Sequence, residues 1–293
     1  MEGSRPKVAK VLLERLFHGD DPMAIFKPER FTDLHRSFVT HLSLKDVRLV
    51  LDAAEKPINF WLELGSFEGH SAIFASQGLL KYGLHASVVA VDTFLGDRFV
   101  HWHGRLTTNS SGDRRRSWSN QMRPDGTMTL FDSFKSHVRH TGMQSCILPI
   151  PATTMVGLKL LDGLAKERVI PRPQVIYLDS AHEEGEVLLE LRTAWNVLAP
   201  GGMIFGDDWY LQGTCRDVLR FALQVQSQLD DVWPLSPKIQ SLRRLGGRVR
   251  PGLFISHDTK LWFLKKRQIF LSGGDFVQKQ QNLTLSSTRS GCW

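Results

Sequence analysis

The sequence predicts an α/β fold in which helices cover both faces of a mainly parallel sheet, with an antiparallel hairpin towards the C-terminus. Two observations lead to this prediction. Short apolar runs alternate with longer amphipathic stretches over residues 58–229, and such alternation is typical of a doubly wound, mainly parallel sheet. Two further apolar runs, at 252–256 and 260–264, are separated by residues 257–259 alone. That spacing predicts a hairpin.

Each strand and helix of the alternation is predicted from its own pattern. Short apolar runs bounded by turn-forming residues indicate buried strands, and apolar residues at helical spacing indicate helices that pack one face on the sheet. The predicted strands are 58–64, 87–91, 146–150, 175–178 and 203–205. The predicted helices are 71–82, 127–140, 154–168, 183–198 and 214–229.

The same patterns divide the chain into regions. Residues 1–45 are predicted to be an N-terminal helical lead-in, because apolar residues recur at helical spacing in 8–16. Residues 46–267 form the main α/β domain. Within it, 93–126 is predicted to be a long loop or lid, since long connections in compact domains are usually functional lids or disordered insertions. Residues 268–293 are rich in Gly, Ser, Gln, Asn and Thr, which predicts a disordered tail.

Composition narrows the classes of function. The formal net charge is +7, and basic residues cluster at 114–116, 243–250 and 265–267. Aromatic side chains are not interleaved with these clusters as they are in single-strand binders, which argues against nucleic acid and for a solvated surface. Attraction to an anionic partner stays open. No apolar segment is long enough to span a membrane and the first residues lack a signal-peptide layout, so we expect a cytoplasmic protein. The oligomeric state stays open.

Acidic residues follow the last two parallel strands. Asp179 follows the strand at 175–178, and Asp207 with Asp208 closes the run that begins at Met203. Ligands of open α/β sheets bind outside the carboxyl ends of the strands, where these acids are expected to lie together. Clustered carboxylates repel one another unless a cation or protons intervene. The alternative is that the acids cap the helices that follow.

A glycine-containing turn follows the first strand, and another acid follows the second. Residues 63–71 read E-x-G-x-x-x-G-x-S, in which Gly65 and Gly69 let the backbone pass close to a ligand at the start of a helix. The spacing is not that of dinucleotide binders, and a turn without a ligand is the alternative. Asp92 is placed to accept hydrogen bonds from the hydroxyls of a ribose.

This layout resembles class I S-adenosylmethionine-dependent methyltransferases, which have a Rossmann-like fold. Residues 63–71 resemble the first motif of the catechol O-methyltransferase type. Residues 91–97, 178–183 and 198–209 resemble the related methyltransferase family 24. The resemblance covers about residues 45–267, with four motifs in the right order. It implies that the main domain is a methyltransferase domain.

The resemblance also implies a cofactor site. The methionine end of S-adenosylmethionine is expected at the glycine-containing turn, and the ribose at the acid after the second strand. The expected cofactor contacts are Glu63, Gly65, Ser66, Gly69, Ser71, Asp92 and Asp179.

The resemblance implies a metal site and a base as well. Asp179, Asp207 and Asp208 match the ligands of the metal-dependent branch, and an oxygen-rich set suits magnesium. Asp179 and His182 are the expected catalytic residues, because His182 occupies the position of the general-base lysine of the catechol enzymes. Related sugar methyltransferases place a base acid where this chain has Ala181. Either His182 takes that role or the reaction needs no dedicated base.

The sequence therefore predicts metal-assisted methyl transfer to a hydroxyl of a small polyhydroxylated or phenolic acceptor. One alternative is a catalytically inactive, cofactor-binding interaction module. The three retained acids argue against it. Another alternative is a metal-independent N- or RNA-methyltransferase that uses the basic surface, and binding to RNA would depend steeply on salt.

Overall fold

The protein is described from a computed structural model. The structure describes residues 4–24, 42–54, 57–96, 127–230, 246–250, 252–256 and 261–268. Most of the predicted lid, the hairpin turn at 257–259 and the tail from residue 269 lie outside these ranges. None of the helices within them has the length and apolar character that a membrane crossing requires.

The described residues confirm the predicted alternation, with ends that differ by a few residues. The helices are α1 (Lys7–Phe17), α2 (Leu44–Ala53), α3 (His70–Lys81), α4 (Leu130–His140), α5 (Thr154–Lys166), α6 (Glu186–Val197) and α7 (Gln212–Gln224). The strands are β1 (Phe60–Leu64), β2 (Ser87–Asp92), β3 (Ile147–Pro151), β4 (Val175–Leu178), β5 (Met203–Gly206), β6 (Gly246–Arg250), β7 (Leu253–Ser256) and β8 (Trp262–Lys265).

The strands form one mixed sheet of order β3-β2-β1-β4-β5-β8-β7-β6. The first five strands in this order pair in parallel. The remaining pairings, β5 with β8, β8 with β7 and β7 with β6, are antiparallel. The predicted doubly wound fold and the predicted hairpin of β7 and β8 are therefore confirmed.

Two described elements were not among those predicted. Strand β6 contains Arg248 and Arg250, which we had assigned only to a basic cluster. Helix α2 begins in the region that we assigned to the lead-in and continues past its predicted boundary. The Ser43 side chain accepts from the backbone of Asp46, while the Asp46 side chain accepts from the backbone of Ser43. This reciprocal capping fixes the start of α2.

Helices cover both faces of the sheet, as predicted. One apolar core contains side chains from α1, α5, α6 and α7, and the other contains side chains from α2, α3 and α4. Successive residues of β1 alternate between the two cores, with Phe60 and Leu62 in the first and Trp61 in the second. Burial on both faces explains why the parallel strands read as continuous apolar runs.

The register of four neighbouring parallel strands aligns their carboxyl ends. The last residues paired between β2, β1, β4 and β5 stand opposite one another. The residues that follow them are Asp92, Gly65, Asp179 and Asp207. The N–H groups of Gly65, Asp179 and Asp207 continue the ladder, donating to the neighbouring strand at 2.9, 2.8 and 3.2 Å. Residues more than a hundred positions apart in sequence thus share one edge of the sheet.

Helix α7 holds the loop between β4 and α6 at two points. Asp217 is fully buried, and its Oδ2 accepts from the N–H groups of Gly185 and Leu188 at 2.6 and 3.1 Å. These N–H groups lie at the start of α6 and would otherwise lack acceptors. A Cβ at Gly213 would lie 2.8 Å from the carbonyl oxygen of His182, so the close approach of α7 to this loop requires glycine there.

Replacing Asp217 with alanine is expected to destabilise the protein. The substitution leaves two N–H groups at the start of α6, in partly buried contacts, without their acceptor, and losing such a cap costs on the order of 0.5–2 kcal/mol of the free energy of unfolding. Urea denaturation measures this loss. Glu184→Ala is the control. It removes an exposed carboxylate that pairs with Arg216 and Arg220 of α7, and it should change the free energy of unfolding little. Equal stability of Asp217→Ala and the native chain would contradict this capping role.

Candidate active site

The loop between β1 and α3, residues 65–69, is held by the carboxylate of Asp92. We call it the glycine-containing loop. Oδ2 of Asp92 accepts from the N–H groups of Ser66 and Phe67, both at 2.8 Å, and its Oδ1 accepts from the N–H of Phe94 at 2.6 Å. A carboxylate offers about four acceptor positions. Asp92 therefore shapes the loop and keeps capacity for one further donor.

Both glycines of this loop adopt backbone conformations that favour glycine, with φ of 83° at Gly65 and 85° at Gly69. A Cβ at Gly65 would lie 2.1 Å from the carbonyl oxygen of Asp179. A Cβ at Gly69 would lie 2.8 Å from the ring of Phe134 on α4. The loop is thus packed against the end of β4 at one point and against α4 at another.

Glu63 is a fully buried carboxyl at the end of β1. Its Oε1 accepts from the hydroxyl of Ser71 at 2.9 Å, and its Oε2 has no hydrogen-bond partner among the described residues. Burial raises the pKa of Glu63 to about 8, although the Ser71 hydroxyl opposes the shift. At neutral pH this carboxyl is therefore protonated. A cationic donor group of a bound ligand would favour its ionised form, in which Oε2 accepts.

Three charged side chains converge at the ends of β4 and β5. Nε2 of His182 lies 2.6 Å from Oδ2 of Asp208 and 3.8 Å from Oδ1 of Asp179. One ligand atom from each residue lies within 4.8 Å of the others. We call these three residues the acid cluster. Asp208 adopts a left-handed conformation with φ of 59°, which Asp tolerates better than most residues.

Protonation of His182 balances the charge of the acid cluster. Burial alone lowers the pKa of His182, but Asp179 and Asp208 outweigh this effect and raise the pKa to about 10. At neutral pH the imidazole therefore carries a proton and forms ion pairs with both carboxylates. The protonated His182 is thus a positive charge within the acid cluster.

Asp207 was expected beside Asp179 and Asp208, but it is not part of the acid cluster. Its Oδ1 accepts from the N–H of Asp208 at 2.6 Å, and its carbonyl oxygen accepts from Nε1 of Trp262 on β8 at 2.9 Å. A Cβ at Gly206 would lie 2.4 Å from the Trp262 ring. Contacts with β8 therefore fix the backbone from which Asp208 emerges.

Two tyrosines of the site were missed by the sequence reasoning. The hydroxyl of Tyr177, which is buried in β4, donates to Oδ2 of Asp179 at 3.4 Å. Tyr210 lies two residues after Asp208, and burial together with a hydrogen bond to Asp208 raises the pKa of its hydroxyl. Both tyrosines are close in sequence to the acids that they contact, which is the signal that could have identified them.

Comparison with known families agrees with this geometry. A family model described as a methyltransferase domain, methyltransferase family 24, matches residues 62–209. The matched segment is just over half of the 293 residues. It extends from β1 to the residue after Asp208. The chain belongs to this methyltransferase family.

The resemblance to class I methyltransferases is thereby confirmed, and the acid cluster and the glycine-containing loop both lie within the methyltransferase domain. No curated protein matches the chain. The family membership concerns the domain and leaves the methyl acceptor open.

Solved structures with a similar fold include three O-methyltransferases. The enzyme from Bacillus cereus in complex with SAH is 11% identical, with coverage of 89% of this chain and 90% of that chain and a TM-score of 0.44. NovP is 13% identical, with 77% and 79% covered and a TM-score of 0.48. TomG from Streptomyces achromogenes, in complex with SAM, is 15% identical, with 76% and 78% covered and a TM-score of 0.40. Similarities this distant do not identify a substrate or a metal.

The stability of the methyltransferase domain is expected to fall as the pH rises through the range set by Glu63. The unfolded chain releases the proton of this carboxyl near its ordinary pKa of 4.5, whereas the folded chain keeps it up to about pH 8. Between these values the unfolded state binds fewer protons, so the free energy of unfolding decreases with rising pH.

The variant Glu63→Gln removes this dependence because its side chain does not titrate. From pH 5 to pH 8 the native chain should lose stability relative to the variant, on the order of 2–4 kcal/mol at about 1.4 kcal/mol per pKa unit. Urea denaturation across this range measures the difference, and Glu167→Gln, at an exposed position, should behave like the native chain. Parallel pH profiles for Glu63→Gln and the native chain would show that Glu63 ionises normally.

Proposed function

We propose that this methyltransferase transfers the methyl group of S-adenosylmethionine to a hydroxyl of a small polyhydroxylated or phenolic acceptor, assisted by a divalent metal such as magnesium. The observation that carries the proposal is the position of the acid cluster. It lies beside the glycine-containing loop, whose Gly65 touches the backbone of Asp179. A methyl donor bound at this loop and a hydroxyl held at the acid cluster would be neighbours.

The glycine-containing loop and the polar residues around it suit S-adenosylmethionine. The unpartnered Oε2 of Glu63 supports contact with a donor group at the methionine end, and the remaining capacity of Asp92 supports contact with the ribose hydroxyls. Gly65 and Gly69 permit the close approach of the backbone, and Ser66 and Ser71 place hydroxyls near Glu63. The bound cofactor supplies a methyl group that is already electrophilic on its sulfonium. The protein must orient an acceptor oxygen in line with it and remove the acceptor's proton.

The acid cluster suits a divalent cation. Asp179 and Asp208 supply carboxylate oxygens, which hard ions such as magnesium prefer. When bound, such an ion lowers the pKa of a substrate hydroxyl and fixes its position. Asp207, the third ligand expected from the sequence, contacts the N–H of Asp208 instead. We assign Asp179 and Asp208 as ligands and Asp207 as the residue that positions Asp208.

His182 is assigned as the general base, under one condition. While it is paired with Asp179 and Asp208 its pKa is about 10, so at neutral pH it cannot accept a further proton. A divalent cation held by Asp179 and Asp208 would compensate their charge and so remove the cause of the raised pKa. The imidazole would then be able to release its proton to solvent and to accept one from the acceptor hydroxyl. His182 can therefore act as a base only when another cation balances the charge of Asp179 and Asp208.

Calorimetric titration tests the assignment of donor and metal sites. The native chain should bind S-adenosylmethionine, and should bind magnesium in its presence. Asp208→Asn should retain cofactor affinity and lose magnesium affinity by about tenfold or more, because an amide carries no charge. Asp52→Asn on α2, distant from the site in sequence, is the matched control. A native chain that binds no S-adenosylmethionine contradicts the proposal, and cofactor binding without magnesium binding removes the metal from it.

The variant His182→Gln tests the base. Turnover with a catechol or sugar acceptor should fall by about a hundredfold or more, as expected for loss of a general base, while cofactor affinity stays close to native. Steady-state kinetics and calorimetry on the same preparation measure the two quantities. If magnesium affinity disappears together with turnover, His182 is a metal ligand, and if turnover is unchanged it has no part in the reaction.

A further inference from the structure

A second group of potential metal ligands lies where the glycine-containing loop meets α4. Glu68 precedes Gly69, His70 is the first residue of α3, and His137 lies in α4. We call Glu68, His70 and His137 the histidine cluster. One ligand atom from each lies within 4.8 Å of the others. It shares no residue with the acid cluster or with the expected cofactor contacts.

We propose that the histidine cluster is a binding site for a borderline transition-metal ion, Zn²⁺ in particular, that links the glycine-containing loop to α4. The site would hold whether or not the proposed methyl transfer is correct, because none of its ligands takes part in that reaction.

The types of ligand point to zinc rather than magnesium. Two imidazoles and one carboxylate form a three-residue set that is found in zinc sites with an open fourth position. Magnesium favours oxygen ligands and the acid cluster suits it better. The two clusters therefore differ in the metal that each would prefer.

The distances are compatible with coordination after small adjustments. Zinc bonds of about 2.0–2.1 Å place neighbouring ligand atoms about 3.3 Å apart in a tetrahedral site. The ligand atoms of the histidine cluster lie within 4.8 Å of one another. The required closure is at most about 1.5 Å, which rotation about side-chain bonds can supply.

The surrounding structure orients the ligands. Nδ1 of His137 lies 3.0 Å from the carbonyl oxygen of Glu68. Nδ1 also lies 4.0 Å from Oε2 of Glu68. While Nδ1 donates to the carbonyl, Nε2 keeps the lone pair and is the nitrogen that would have to turn towards the ion. Histidines that bind metals commonly donate from their second nitrogen to a carbonyl or carboxylate in this way. The ring of Phe134, one turn before His137, packs against Gly69 and holds α4 close to the loop.

The burial of the ligands and the protonation state of the two histidines also suit a metal ion. The side chain of Glu68 is 7% exposed and that of His137 is 11% exposed. The rings of His70 and His137 lie 4.8 Å apart between centroids. Burial lowers the pKa of both imidazoles, and that of His70 to about 4. At neutral pH both rings are therefore uncharged and able to ligate, unlike His182 in the acid cluster.

Competition with a chromophoric zinc chelator tests the proposal on the full chain. The native protein should bind one equivalent of Zn²⁺ at the histidine cluster, and His70→Gln and His137→Gln should each weaken this binding by about tenfold or more. Asp208→Asn is the matched control. It disables the acid cluster and should leave the binding of one equivalent of Zn²⁺ at the histidine cluster unchanged. Circular dichroism checks folding, and His70→Gln carries the test if His137→Gln does not fold.

Three results would overturn the proposal. They are a native protein that binds no Zn²⁺, binding that both histidine variants leave unchanged, and binding that Asp208→Asn abolishes. A thermal melt supplies an independent readout, since an ion that binds only the folded state raises the unfolding temperature. That increase should appear with the native chain and with Asp208→Asn, and should be lost in His70→Gln.

Discussion

The parallel register of β2, β1, β4 and β5 is the constraint on which the site depends. It places Asp92, Gly65, Asp179 and Asp207 side by side, although they come from four separate strands. A slip of one residue in any of these pairings would turn alternate side chains to the other face of the sheet. Because both faces are covered by apolar cores, such a slip would place each side chain in the opposite core, where it does not fit, and would draw the polar residue that follows the strand into the sheet. The same burial that stabilises the fold therefore positions the site.

The acid cluster and the histidine cluster show how nearby charges and burial decide the protonation state of histidine. His182 faces two carboxylates, and their charge more than compensates for the cost of burying a cation. His70 and His137 lie near each other and near one carboxylate, that of Glu68, and burial prevails. Histidines in one domain thus differ in charge at neutral pH. Neither state is visible from the residue type alone, since it depends on which chain segments come together.

Much of the fold and part of the site could be predicted from the sequence. The apolar runs identify the parallel strands, and acids at strand ends must meet because parallel strands share a carboxyl edge. Helix α2 carries a readable signal in Ser43 and Asp46 and has apolar residues at helical spacing, so it too could have been predicted. Which of the two consecutive acids joins His182 could not be predicted. That choice depends on the left-handed backbone at Asp208 and on contacts with β8.

The contact between Trp262 and Asp207 makes the site depend on a late part of the chain. Trp262 lies 55 residues after Asp207 and belongs to the strand that covers the edge of β5. During synthesis the parallel strands emerge from the ribosome first. Until β8 follows, β5 presents unpaired backbone groups that invite pairing with other chains. The nascent domain therefore passes through a stage in which its acids are present but the backbone that carries them still lacks the support of β8.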